Sequence, residues 1–193
     1  MRHISPEEYI NDARLHQQHG GYDLAIDSLK MAQQTDLRHR FTIEIQKLFC
    51  FNYRKLGNFD MALFHINSAI NCVKTSLKQV ENQQMQKEYA ICLMNKGIVY
   101  EERNEPDKAV ECYLPALQIF MQVYNSDPEN YGMIINALLT IGLFYYNGKQ
   151  YSKAKEYLEN AIPYFGVGKE NDRRYLAIIN TLSELSKNKG GEL

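Results

Sequence analysis

Five histidines and four cysteines are the side chains of this 193-residue chain best suited to metal binding or to acid–base and nucleophilic chemistry. The histidines are His3, His16, His19, His39 and His65. His16 and His19 share a helix face, but no cysteine or carboxylate joins them at metal-ligand spacing. The cysteines, Cys50, Cys72, Cys92 and Cys112, lie 22, 20 and 20 residues apart, with no C-x-x-C pair, which argues against zinc. They read as reduced thiols filling small core slots in a cytosolic protein. Ser, His and Asp form no nucleophile motif, and there is no Gly-rich phosphate loop. No enzymatic activity, metal or cofactor is expected.

Binding remains. A net charge of -1 argues against a general polyanion binder, so no direct nucleic-acid partner is expected. Fourteen tyrosines and no tryptophan suit half-buried seams and contact surfaces. The opening MRHISPEEYI has no apolar run, so no signal peptide is expected. The most apolar stretch, MIINALLTIGLFYY, is interrupted by Asn136 and Thr140 and is too short to span a bilayer. A cytoplasmic protein without membrane contact follows.

The elements that must position any binding residues are helices. Ser5-Pro6-Glu7-Glu8 sets a cap, a Pro in the first turn and a Glu three residues after the cap. Ser126-Asp127-Pro128-Glu129 repeats that pattern with Asp127 as the cap, and Asn171 or Asp172 can cap a last helix. Breaks fall at Gly20-Gly21, Gly57-Asn58, near Glu81-Asn82, at Asn104-Glu105-Pro106 and at Asn147-Gly148. No run alternates as a strand would.

After four of these breaks the same triplet recurs: Ala25, Leu29, Ala32; Ala62, Ile66, Ala69; Ala109, Tyr113, Ala116; Ala154, Leu158, Ala161. The i, i+4, i+7 spacing puts each triplet on one helix face, where the small residues admit a second helix and the large one fills the gap. Nine residues before each first Ala stands a ring, His16, Tyr53, Tyr100 or Tyr145. Three residues before the ring stands a small residue, Ala13, Cys50, Gly97 or Gly142. Each unit is therefore helix A, a tight turn and helix B. This pattern resembles the tetratricopeptide repeat family, whose signature is a small residue and an aromatic on helix A and Ala…Phe…Ala on helix B. It departs from that signature where Leu93 and Leu138 replace the usual first-helix aromatic.

The resemblance implies an all-α solenoid, a right-handed superhelix of about four repeats. It is expected to form a single domain over 1–193, with repeats at 5–38, 41–81, 84–125 and 128–166 and a capping helix at 172–187. The first Ala of each unit recurs after 37, 47 and 45 residues. The family period is about 34, so the middle repeats carry roughly three extra helical turns each. Such long repeats are similar to those of kinesin light chains, related polarity adaptors and peptide-sensing regulators of Gram-positive bacteria. The last element is amphipathic, with Tyr175, Ile178, Ile179, Leu182 and Leu185 on one face, and reads as an end cap or as a docking helix.

In such stacks the A helices line a concave groove. Registered from each Ala, the resemblance implies a peptide- or partner-binding set of Arg14, Lys47, Phe51, Arg54, Met94, Asn95, Ile98, Asn136, Leu139, Leu143 and Tyr146. Arg14, Lys47 and Arg54 would steer acidic groups. Phe51, Met94, Ile98, Leu139, Leu143 and Tyr146 would take apolar side chains. Asn95 and Asn136, each donor and acceptor, would hold peptide backbone. The terminal-carboxylate clamp of chaperone-binding members is missing, since its places hold Ile10, Arg14, Leu48, Ile91 and Asn95. The basic run DLRHRF, residues 36–41, reads as a solvated turn or as a contact for an acidic partner. The expected function is a non-catalytic module that binds a peptide segment of a partner protein. The alternatives are the ligand-binding part of a peptide-responsive bacterial regulator, and a scaffold that self-associates through its end repeats.

Overall fold

The structure is a computed structural model that describes residues 4–79, 82–124, 131–166 and 168–188. The expected cap at Asp127 and the softer break at Glu81 lie outside the described residues. Every regular element among those described is helical: α1 (Pro6–Gln18), α2 (Tyr22–Thr35), α3 (Thr42–Lys55), α4 (Phe59–Gln79), α5 (Gln83–Glu102), α6 (Pro106–Tyr124), α7 (Gly132–Asn147), α8 (Tyr151–Ala161) and α9 (Arg173–Asn188), with two short 3-10 turns between α8 and α9. The architecture is an all-α helical repeat. The extra length of the middle repeats is helix: α4, α5 and α6 have 21, 20 and 19 residues against 13 in α1.

Local chemistry sets the ends. At Ser5 the hydroxyl accepts from the Glu8 amide at 3.2 Å and the Glu8 carboxylate accepts from the Ser5 amide at 2.8 Å, a reciprocal cap that satisfies two end donors of α1. Asp172 begins α9, accepting from the Arg174 amide at 2.8 Å. Four turns between helices A and B are built alike. The carbonyls of His16, Tyr53, Tyr100 and Tyr145 accept from the amides five residues later, at 2.8–2.9 Å. The residue before each donor is left-handed: Gly20, Gly57, Asn104 and Lys149. This six-to-one closure satisfies end carbonyls. Gly and Asn enter that conformation cheaply, whereas Lys149 carries the Cβ penalty. The glycine at the fourth turn, Gly148, keeps an ordinary φ of -76°.

The chain divides into two compact units, Met1–Cys112 and Tyr113–Leu193, and the division falls within α6. All twelve residues of the Ala–large–Ala triplets are 0% exposed, which places every triplet on a packed seam. In unit 1 the seams are joined by Ile10, Ile45 and Phe49, then by Cys50, Ile70, Val73, Cys92 and Val99. In unit 2 the buried frame is Ile134, Leu138, Ile141, Leu158 and Ile178.

His65 is a second packing feature of unit 1. Its ring stacks on Phe49 at 4.5 Å and on Tyr53 at 5.3 Å between centroids, and Phe64 meets it edge-on. Its Nδ1 lies 2.7 Å from Oε1 of buried Gln46, so Nδ1 carries the proton and donates. Burial pushes the imidazole down to about 4. An unfolded histidine titrates near 6.5, so between these values the unfolded chain binds a proton that the native chain refuses. Stability contributed by neutral His65 is therefore present above pH 6.5 and lost as pH falls towards 4. Urea midpoints measured across that window should fall less steeply for His65→Phe than for the wild type. Identical slopes would mean that other groups carry the acid sensitivity.

Candidate functional site

Helices α1, α3 and α5 are the A helices of unit 1, and a cleft of about 630 Å³ opens between them. Five residues of the expected binding set line it: Arg14, Lys47, Phe51, Arg54 and Asn95. Ile43, Leu48, Met85 and Ile91 add apolar lining, and Gln17, Arg40, Glu44, Gln84 and Glu88 add polar lining. Met94 and Ile98 are half-buried on α5 but are not part of this lining.

The three expected cations each reach a carboxylate on a neighbouring A helix. Arg14 of α1 pairs with Glu44 of α3. Lys47 of α3 pairs with Glu88 of α5 at 2.6 Å, and Arg54 of α3 pairs with Glu102 at the end of α5. Arg54 also lies over the Phe51 ring, 5.3 Å from its centroid, and Tyr22 meets that ring edge-on. Successive A helices are thus tied together by charge pairs whose cations line the cleft. Arg14–Glu44 is solvent-exposed and worth about 0–1 kcal/mol. Lys47–Glu88 is held more tightly, with side chains 22% and 19% exposed.

The two asparagines differ. Asn95 projects into the cleft and makes no side-chain hydrogen bond among the described residues. Asn136 belongs to unit 2, where its Oδ1 accepts from Arg174 Nη1 at 3.2 Å. Arg174 also donates to the Gly132 carbonyl at 3.3 Å and is held by the Asp172 carboxylate at 2.6 Å. At the other end of α7, the Tyr146 hydroxyl donates to Glu184 at 2.7 Å, and this bond holds the phenol above its ordinary pKa. Residues at both ends of the expected α7 face therefore bond to α9. Leu139 and Leu143, between them, are half-buried.

Other chemistry is sparse. Burial pushes the thiols of Cys50 and Cys92 up to about 12, which removes them as nucleophiles at neutral pH. Among the described residues no group of three or more His, Cys, Asp or Glu could hold a metal ion. No described helix is long and apolar enough to cross a membrane.

Sequence register missed Gln84 and Glu88. The signal was present: the inward series Ile91, Asn95, Ile98 extends one and two turns back to Glu88 and Gln84 at helical spacing.

A model of the tetratricopeptide repeat matches residues 136–162, which run from α7 through α8. The helical frame matches solved repeat proteins over almost its whole length. A kinesin light chain-like repeat protein of Podosopora anserina superposes with a TM-score of 0.73 at 19% identity, covering 98% of this chain and 91% of that one. The apo form of RapI gives 0.76 at 16% identity over 96% of this chain. This is the tetratricopeptide-repeat fold. A third likeness is BtubC from P. vanneervenii, at 0.71 and 16% identity, covering 95% of this chain and 75% of that one. The chain spans only 64% of RapI. No curated protein matches it.

Proposed function

We propose that the chain is a non-catalytic interaction module whose unit-1 cleft holds an extended segment of a partner protein. The observation that carries this reading is Asn95, an amide with both donor and acceptor uncommitted, set in a lining of Ile43, Leu48, Phe51, Met85 and Ile91. Apolar side chains of a peptide would enter that lining while Asn95 pairs with the intervening backbone. The repeat fold supports a protein-binding role, and a free signalling peptide would use the same cleft.

The test starts with a displayed pool of random peptides selected on the immobilised chain. Selected peptides are then measured by fluorescence anisotropy. Asn95→Ala should weaken binding about two- to tenfold, the worth of one hydrogen bond of about 0.5–1.5 kcal/mol. Phe51→Ala should weaken it further. Asn136→Ala, whose amide is engaged by Arg174, should leave affinity unchanged. Selected peptides that bind Asn95→Ala and Phe51→Ala as tightly as the wild type would place the binding face elsewhere.

A further inference from the structure

Four cations line the unit-1 cleft, and three of them are committed to Glu44, Glu88 and Glu102. The fourth, Arg40, comes from the basic run between α2 and α3. It is exposed and pairs with no carboxylate among the described residues. Its backbone is nevertheless fixed. Asp36, 5% exposed, accepts from the amides of Arg40 and Phe41 at 2.9 Å each, and the guanidinium lies 5.6 Å from the centre of the Phe41 ring. A pinned backbone under an unpaired guanidinium is a preorganised anion contact. A second donor of the same lining is also unmatched: Gln17 Nε2 is buried without a hydrogen-bond partner.

We propose that Arg40 anchors an Asp or Glu side chain of the peptide held in this cleft, an assignment that rests on the peptide reading above. The class of ligand is a peptide with one acidic side chain followed by apolar residues that reach Phe51 and Ile91. An internal side chain, rather than a chain end, fits the position. Arg40 also lines a second hollow beside Ser5, Pro6 and Glu7, so the peptide can run on past it.

The experiment uses the full chain and three synthetic peptide pools with the same apolar flanks. One pool carries an internal Glu and the second a Gln at that position, both acetylated and amidated so that no terminal charge is present. The third carries the Gln and a free C-terminal carboxylate. Affinities are read by anisotropy for the wild type, Arg40→Gln, Phe51→Ala and Arg173→Gln, the last making the same charge change on exposed α9, outside both hollows. The Glu pool should bind the wild type about ten- to a hundredfold more tightly than the Gln pool, the range for a charge-assisted hydrogen bond. Arg40→Gln should erase that preference without changing the Gln-pool affinity, and Arg173→Gln should keep it. A Glu preference that survives Arg40→Gln, or that is absent from the wild type, overturns the anchor. A preference for the free-terminus pool over the Glu pool overturns it in favour of a chain end. In each of these cases the peptide reading stands if Gln-pool binding still depends on Phe51. If no pool binds, that reading fails as well.

Discussion

Gly142→Ala should cost the fold about 1–3 kcal/mol, the usual range for overpacking a filled seam. A Cβ at this position would lie 2.6 Å from Leu158 Cδ2 and 2.7 Å from Leu158 Cγ. Contact with Cγ cannot be relieved by turning a methyl group away. Leu158 is itself 0% exposed, between Ala154 and Ala161 at 0%, so it cannot swing out into solvent. Calorimetric unfolding of Gly142→Ala and of Gly142→Ala combined with Leu158→Ala checks the cause. The double variant should lose less than the sum of the two single losses, because deleting the leucine removes the clash that the alanine creates. Strict additivity would show that the two side chains do not compete for one space.

Lys47→Glu should be the second severe change, and its effect should be on the fold before it is on any ligand. The substitution sets a carboxylate against Glu88 where the native ammonium lies 2.6 Å away, and both native side chains are about four-fifths covered. Removing one partner of a buried pair costs about 3–5 kcal/mol, and partial exposure lowers this to roughly 2–3 kcal/mol here. The charge-reversed pair Lys47→Glu with Glu88→Lys should recover most of the loss. If Lys47→Glu melts like the wild type, the pair does not tie α3 to α5, and Lys47 is free to meet a ligand.

These cases show what sequence periodicity carries. It gives the face of a helix, because residues three and four apart share that face wherever the helix sits. The triplets and the small residues Ala13, Cys50, Gly97 and Gly142 were legible for that reason, whereas the inward positions Arg14, Lys47, Phe51, Arg54 and Asn95 were implied by the resemblance to the tetratricopeptide repeat. Periodicity does not give a partner across helices. Glu44, Glu88 and Glu102 lie 30, 41 and 48 residues beyond the cations they neutralise. The sequence reading therefore saw three free charges where the structure has three pairs. Asn136 is the same case, since its partner Arg174 is 38 residues away on α9. Arg40 was legible only as one member of a basic turn. Its place in the cleft depends on Asp36, a buried carboxylate that fixes the turn from within.

Photo-crosslinking tests most directly whether the α1–α3–α5 cleft is the binding face. Benzoylphenylalanine would replace Phe51, within the cleft, in one sample and Phe64, 63% exposed on α4 and outside the cleft lining, in another. Each sample would be irradiated with the same selected peptide. The peptide should become attached to the chain carrying the probe at position 51 and not to the one carrying it at position 64. Attachment at position 64 without attachment at position 51 would contradict the assignment.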